Sequence, residues 1–174
     1  MILVRPATEA DLGSVQAIYA HHVRTGLGTF EEEPPSVTEM LRRFRELRSQ
    51  GAPYLVADLD SEILGYAYAG PFRARSAYRY TCENAVYVAA ERARSGVGLA
   101  LMQRLIDEAR SLGLREMLAV IGDSDNAGSI GLHARLGFRH IGTFERAGFK
   151  FGRWVDVVFM QLRLDPALPT TLQS

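Results

Sequence analysis

Residues 80–113, YTCENAVYVAAERARSGVGLALMQRLIDEARSLG, constrain the fold more than any other part of the chain. Residues 80–88 read as a strand. Gly96 and Gly98 follow, one residue apart, with Arg92 and Arg94 just before them. From there Val97, Leu101, Leu105, Ala109 and Leu112 recur at helical spacing, and Gly113 ends the pattern. Residues 115–121, REMLAVI, read as a further strand. A strand, a glycine turn, a helix and a strand in succession predict a sheet with helices packed on it.

The flanking sequence extends that architecture. Residues 2–5 read as a short strand. Thr8, with Asp11 three residues on, caps a helix whose inner face carries Leu12, Val15, Ile18, Tyr19 and Val23. After the break GLGTFEEEPPS, Ser36 and Glu39 form a capping box for a second helix, with Met40, Leu41, Phe44 and Leu47 inward and Gly51 at its end. Strands are expected over 54–58 and 63–70, then a loop, PFRARSAYR. Beyond residue 121 a turn leads into a short helix ending near Leu136, and two last strands are expected over 138–144 and 153–164, with ERAGFKFG between them. The expectation is one α/β (α+β) domain over residues 1–164 with a C-terminal tail, 165–174.

Twenty basic and twenty acidic residues give no net charge, so neither a nucleic-acid nor a membrane-surface partner is indicated. The one cysteine, Cys82, has no partner for a disulfide, and no Cys/His cluster has metal spacing; no metal is expected. The opening MILVRPATEADL lacks a signal-peptide core, and no apolar run approaches a membrane span, so a cytoplasmic protein is expected.

Strand, glycine turn and helix N-terminus together suit an anion. The first N–H groups of a helix lack internal partners, its dipole favours negative charge, and glycine admits a phosphate close to the backbone. A plain loop-to-helix junction uses the same glycines. A P-loop would need Lys and Ser or Thr after the second glycine, where Leu99 and Ala100 stand. A dinucleotide fingerprint would need a third glycine at Leu101. The pyrophosphate of another cofactor remains.

VYVAAERARSGVGLALMQRLIDEA resembles the acetyl-CoA pyrophosphate loop of the GNAT N-acetyltransferases, Gln/Arg-x-x-Gly-x-Gly/Ala, and departs from it only where Ala93 takes the first position. RPATEADL at 5–12, LGYAYAGPFRARSAYRYTCENAVYV at 64–88, NAGSIGLHARLGF at 126–138 and AGFKFGRWVDVVFMQLRL at 147–164 are similar to segments of the phosphinothricin and methionine sulfoximine/sulfone N-acetyltransferase subgroup. The resemblance covers nearly the whole chain. It implies the GNAT fold, a single mixed, mostly antiparallel sheet with helices on both faces. It implies acetyl-CoA as cosubstrate, its pantetheine arm paired with the backbone of Val86, Tyr87 and Val88. The pyrophosphate would then meet Arg94, Ser95, Gly96, Val97, Gly98 and Leu99, with Asn126 beyond; an N-cap role also accounts for Asn126.

An amine at neutral pH is mostly ammonium and needs a base before it can attack a thioester. Glu83 shares a strand face with Ala85 and Tyr87, and a half-buried carboxylate there would have a raised pKa. A solvated edge glutamate is the alternative; the match of TCENAVYV to the family's T-x-E-x-x-V-Y-V favours the base. His133 is the second catalytic candidate, as proton relay or orienting group, against an ordinary helix histidine. Tyr78 and Tyr87 are candidate acids, and Cys82, opposite Glu83, reads as core. For the acceptor the resemblance implies a site lined by Arg73, Ala74, Arg75, Glu83, Asn84 and Ala85, closed by Phe30. Guanidinium forks at 73, 75 and 79 suit a carboxylate and oxygen-rich side chain. Lys150 and Trp154 would shape the far wall or meet a second subunit, since the subgroup forms homodimers with sites near the interface. The expected function is acetyl-CoA-dependent acetylation of a small amino-acid-like amine, with Glu83 as general base. A protein N-terminus or aminoglycoside acetyltransferase of the same fold, or a non-catalytic CoA-binding domain, are the alternatives.

Overall fold

In a computed structural model, which describes residues 1–164, alternation along the central strands decides which helices cover which side of the sheet. Strands β1 (Leu3–Pro6), β2 (Tyr54–Leu59), β3 (Glu62–Pro71), β4 (Thr81–Val88), β5 (Glu116–Gly122), β6 (Arg139–Lys150) and β7 (Arg153–Arg163) lie in the order β1-β2-β3-β4-β5-β7-β6. Only the β4–β5 pair is parallel. The helices are α1 (Leu12–Thr25), α2 (Val37–Ser49), α3 (Val97–Ser111) and α4 (Ala127–Arg135). The mixed, mostly antiparallel sheet expected from the sequence is the sheet observed. The proposed tail, 165–174, lies outside the described residues.

On one face Leu55, Ala57, Ala67, Ala69 and Cys82 pack with Val97, Leu101, Met102 and Leu105 of α3. On the other, Tyr54, Val56 and Tyr66 pack with Leu12, Val15 and Val23 of α1 and with Met40 and Phe44 of α2. Each fully buried aliphatic side chain there contributes ~1.5–3 kcal/mol. Arg5 ties β1 to the start of α1, bonding Asp11 at 2.9 Å and Asp58 at 2.8 Å. The Asp11 carboxylate also accepts from the Thr8 N–H at 2.8 Å. These bonds, Arg5 first among them, hold its pKa down at about 2.

Three local expectations differ from the structure. Leu112 lies past the last turn of α3 and is exposed, while Met102 and Ile106 fill the buried stripe instead. At α2 the Ser36 hydroxyl accepts from the Glu39 N–H at 3.1 Å, but the Glu39 carboxylate turns to Arg42 and Arg43 rather than back to Ser36. The segment ERAGFKFG belongs mostly to β6. The strand absorbs it through a register shift between Phe144 and Gly148, with Phe151 and Gly152 left as the turn to β7.

Candidate active site

Strands β4 and β5 pair from Thr81↔Glu116 only as far as Asn84↔Ala119, although β4 runs on to Val88 and β5 to Gly122. Beyond Asn84 they diverge. The Ala89 N–H donates to Leu64 O at 2.9 Å, which fixes the alternation of peptide groups along β4. The groups of Val86 and Val88 face the gap. Those of Tyr87 face Tyr66 on β3, so Tyr87 offers the gap its ring and not a free backbone edge. His22 Nε2 lies 2.8 Å from Val88 O and engages one lone pair of that carbonyl.

A cleft of about 1070 Å³ fills the divergence, lined among others by Glu83, Val86, Val88, Gly96, Gly98, Leu99 and Asn126. At its mouth Arg94 (φ 60°) and Gly96 (φ 87°) both take left-handed conformations, a turn that leads straight into α3. Ala100 bonds back to Gly96 O at 3.0 Å, so the N–H groups of Val97, Gly98 and Leu99 precede the first complete helical bond. A Cβ at Gly98 would stand 3.3 Å from Leu132 and 3.5 Å from Val88, inside the mouth. The Arg92 Nε is buried and without a partner, though its Nη2 reaches Glu62 at 3.1 Å. Free helical N–H groups, a glycine where a side chain would intrude and an orphaned guanidinium N–H fit a pyrophosphate. Ala93 is exposed in this turn. Ser95 turns its hydroxyl back to Arg92 O. Asn126 is the N-cap of α4, accepting from the Ser129 N–H at 3.1 Å, and it also lines the cleft.

Glu83 is half-buried and has no hydrogen-bond or ion-pair partner among the described residues. Burial raises its pKa, and the charge of Arg73 partly opposes the rise. Ala85 lines the cleft, and Tyr87 stacks on Tyr66 at 5.4 Å and meets Tyr19 edge-on at 5.0 Å. Burial pushes the Tyr87 hydroxyl well above its ordinary pKa, which makes it a poor acid. Tyr78, exposed, packs edge-on against Phe72 at 5.4 Å. Cys82 is buried on the opposite face, as expected.

Asn84 lines this cleft from the face of β4 opposite Glu83. It points away from Glu83 and is buried, donating to Leu118 O at 2.9 Å while its Oδ1 lies 3.0 Å from His133 Nε2. His133 Nδ1 lies 2.8 Å from Ser129 O and 3.4 Å from the Ser129 hydroxyl. Burial lowers the His133 pKa against the opposing effect of that carbonyl. The alternation of β4 thus separates His133 and Glu83, one on each face.

A second cleft of about 940 Å³ opens on the other side of Glu83, lined by Arg43, Tyr68, Arg73, Ala74, Arg75 and Arg79. Glu83 and Tyr68 line both clefts. Arg75 has no partner among the described residues, whereas Arg79 lies over the Tyr80 ring at 4.7 Å. Phe30 is partly exposed beside Gly122 and Gly148. Lys150 is buried within the chain, while Trp154 is exposed. Arg43 and Tyr68 were missed in the sequence. Tyr68 was legible, since Tyr66 and Tyr68 alternate in YAYA. Arg43 carried no signal, because it reaches the cleft only through its bonds to Glu31 and Glu39.

A gap edged by free strand groups, with unbonded helix N–H groups at its mouth and a lone carboxylate at its inner end, suits an acyl-coenzyme A; the fold is that of an acyltransferase. The Acetyltransferase (GNAT) domain family matches residues 4–159. The chain is 49% identical over 169 residues to a phosphinothricin N-acetyltransferase of Alcaligenes faecalis, covering 97% of this chain and 85% of that one. It is 44% identical to an L-methionine sulfoximine/L-methionine sulfone acetyltransferase of Pseudomonas aeruginosa, covering 94% and 95%. The crystal structure of a GNAT superfamily phosphinothricin acetyltransferase from Sinorhizobium meliloti in complex with AcCoA superposes with a TM-score of 0.90 at 43% identity, covering 93% of this chain and 88% of that one. The chain belongs to the GNAT acetyltransferase family and is an acetyl-CoA-dependent N-acetyltransferase. Among the described residues no group of His, Cys, Asp and Glu could hold a metal, and no helix is long and apolar enough to cross a membrane.

Proposed function

We propose that the enzyme acetylates the α-amino group of a small amino acid whose side chain ends in a tetrahedral, oxygen-rich group, of the phosphinothricin, methionine sulfoximine or methionine sulfone type, with Glu83 as general base. The observation that carries the proposal is the position of Glu83, unpaired and shared by the two clefts. The acceptor occupies the arginine-lined cleft, its carboxylate and side-chain oxygens facing Arg73, Arg75 and Arg43, with Ala74 leaving room between. Charge-assisted hydrogen bonds of this kind contribute ~1.5–3 kcal/mol each.

Acetyl-CoA, held along Val86 and Val88 with its pyrophosphate at residues 94–99 and Asn126, supplies the acetyl thioester. Glu83 takes one proton from the ammonium, directly or through a water. The freed amine forms the new C–N bond as the C–S bond breaks, and the second amine proton passes to the departing thiolate, so no dedicated acid is needed. A raised pKa brings the carboxylate toward the pH at which it can accept that proton and release it again. Transfer is direct, because Cys82 is on the far face and buried. The exposed Phe144, Phe149, Phe151 and Trp154 of the β6–β7 hairpin support a homodimer. The cytoplasm, where acetyl-CoA is available, is the setting of this reading.

The test is a parallel assay with free-thiol detection. Phosphinothricin, methionine sulfoximine and methionine sulfone are compared with leucine, spermidine, kanamycin and a short peptide with a free N-terminus. At least one of the first three should exceed leucine by more than tenfold in kcat/KM. Preference for spermidine, kanamycin or the peptide would defeat the substrate proposal.

A further inference from the structure

Lys150, the last residue of β6, is 1% exposed, and its ammonium makes no ion pair with a carboxylate among the described residues. It donates instead to two backbone carbonyls far away in the chain, Gly26 O at 2.9 Å and Thr29 O at 2.8 Å. Burying a charge without a counter-charge is unfavourable, and an apolar side chain of the same length would fill the space equally well. What it would not do is donate two hydrogen bonds.

Both carbonyls belong to the loop after α1. Residues 26–29 line the cleft together with Glu83, Ala85 and Tyr87. The Thr29 hydroxyl bonds the Tyr19 hydroxyl at 2.8 Å and accepts from the Glu31 N–H at 3.3 Å. The floor under the loop is made by glycine. A Cβ at Gly148, two residues before Lys150, would overlap the Phe30 ring, and one at Gly122 would overlap Leu27 O. The ends of β5 and β6 are thus shaped to receive the loop, and Lys150 fastens it there.

We propose that Lys150 is a positioning residue for the acceptor: its buried ammonium holds residues 26–29 down beside Gly122 and Gly148, so that Thr29 walls the first cleft on its side of Glu83, where the acceptor amine meets the thioester. The inference rests on the reading that the acceptor amine binds at Glu83. It assigns Lys150 no contact with the acceptor and no proton transfer.

The test compares wild type with Lys150→Met, Lys150→Gln and Gly148→Ala. Acceptor KM, the acetyl-CoA Kd by calorimetry and amide hydrogen exchange are measured for each. Lys150→Met should raise acceptor KM at least tenfold, leave the acetyl-CoA Kd within threefold and accelerate exchange mainly in residues 26–31. Lys150→Gln, which keeps two N–H donors, should recover part of the KM. Gly148→Ala should raise KM with Lys150 in place, and it carries the comparison if Lys150→Met does not fold. Unaltered exchange in 26–31, or equal changes in acceptor KM and acetyl-CoA Kd, would overturn the proposal. Exchange needs no acceptor, so a wild type that turned over none of the amino-acid-like amines would defeat the substrate reading while leaving the clamp measurable.

Discussion

His133 Nε2 lies 3.0 Å from Asn84 Oδ1, at the last paired residue of β4 before the sheet opens. Asn84 also donates to Leu118 O on β5, so one buried amide joins α4, β4 and β5 where the cleft begins. The pair is well placed to set the width of the opening, and Asn84 points from the face of β4 opposite Glu83. His133→Phe should therefore loosen acetyl-CoA binding by about tenfold and destabilise the fold by ~1–3 kcal/mol, the usual effect of stranding a buried polar partner. The acidic limb of the pH–rate profile should stay where it is in wild type. Calorimetry and a pH–rate profile of the variant check both; loss of the limb would return His133 to proton transfer.

The glycine loop makes a different demand. Gly98→Val would project a side chain between Val88 and Leu132, where the cleft narrows. The acetyl-CoA Kd should rise at least tenfold, with acceptor KM nearly unchanged at saturating acetyl-CoA. Gly96→Ala forces an L-residue to φ 87° and should cost about 1 kcal/mol of stability, because the left-handed region disfavours a Cβ. Thermal melts and titration calorimetry separate the two effects.

Arg75, whose side chain has no partner among the described residues and which lines the second cleft, is the simplest probe of the proposed substrate recognition. Arg75→Ala should raise KM for the amino-acid-like acceptors by about tenfold or more, corresponding to one charge-assisted bond. KM for acetyl-CoA should not move. Initial-rate kinetics with each substrate varied in turn distinguishes this from a general loss of activity.

Much of this was legible in the sequence because two periodicities carried it. The 3.6-residue stripes of α1 and α3 and the alternation of β4 gave the helices, the sheet and the shared face of Glu83, Ala85 and Tyr87. The glycine pair gave the turn that opens α3. Alternation also places Asn84 on the face opposite Glu83, because neighbours on a strand face opposite ways. What was not legible depends on pairing across the chain. The end of β4–β5 register at Asn84 is set by where two strands diverge. The continuation of β6 through ERAG is set by a bulge against β7. The seat of Lys150 lies more than a hundred residues from the loop it bonds.

Glu83 links activity to stability. Its folded pKa is raised above the unfolded value by burial, so the folded state holds the proton more tightly. Stability from this group is present at low pH and falls as pH rises between the unfolded and folded values, where the folded protein binds more protons. Glu83→Gln should therefore melt at a higher temperature than wild type near pH 8, and the gain should disappear on acidification below the ordinary carboxylate value of 4.5. Melting curves across that range test the sign.

The most direct test of Glu83 as the base is the pH dependence of kcat/KM for wild type and Glu83→Gln, measured with the best acceptor at saturating acetyl-CoA. Wild type should show an acidic limb with a pKa above the ordinary carboxylate range, and its rate should rise as Glu83 ionises. Glu83→Gln should bind acetyl-CoA normally, lose about 10²–10⁴-fold in kcat and lose that limb. A variant with full activity and the wild-type limb would contradict the account and place the base elsewhere.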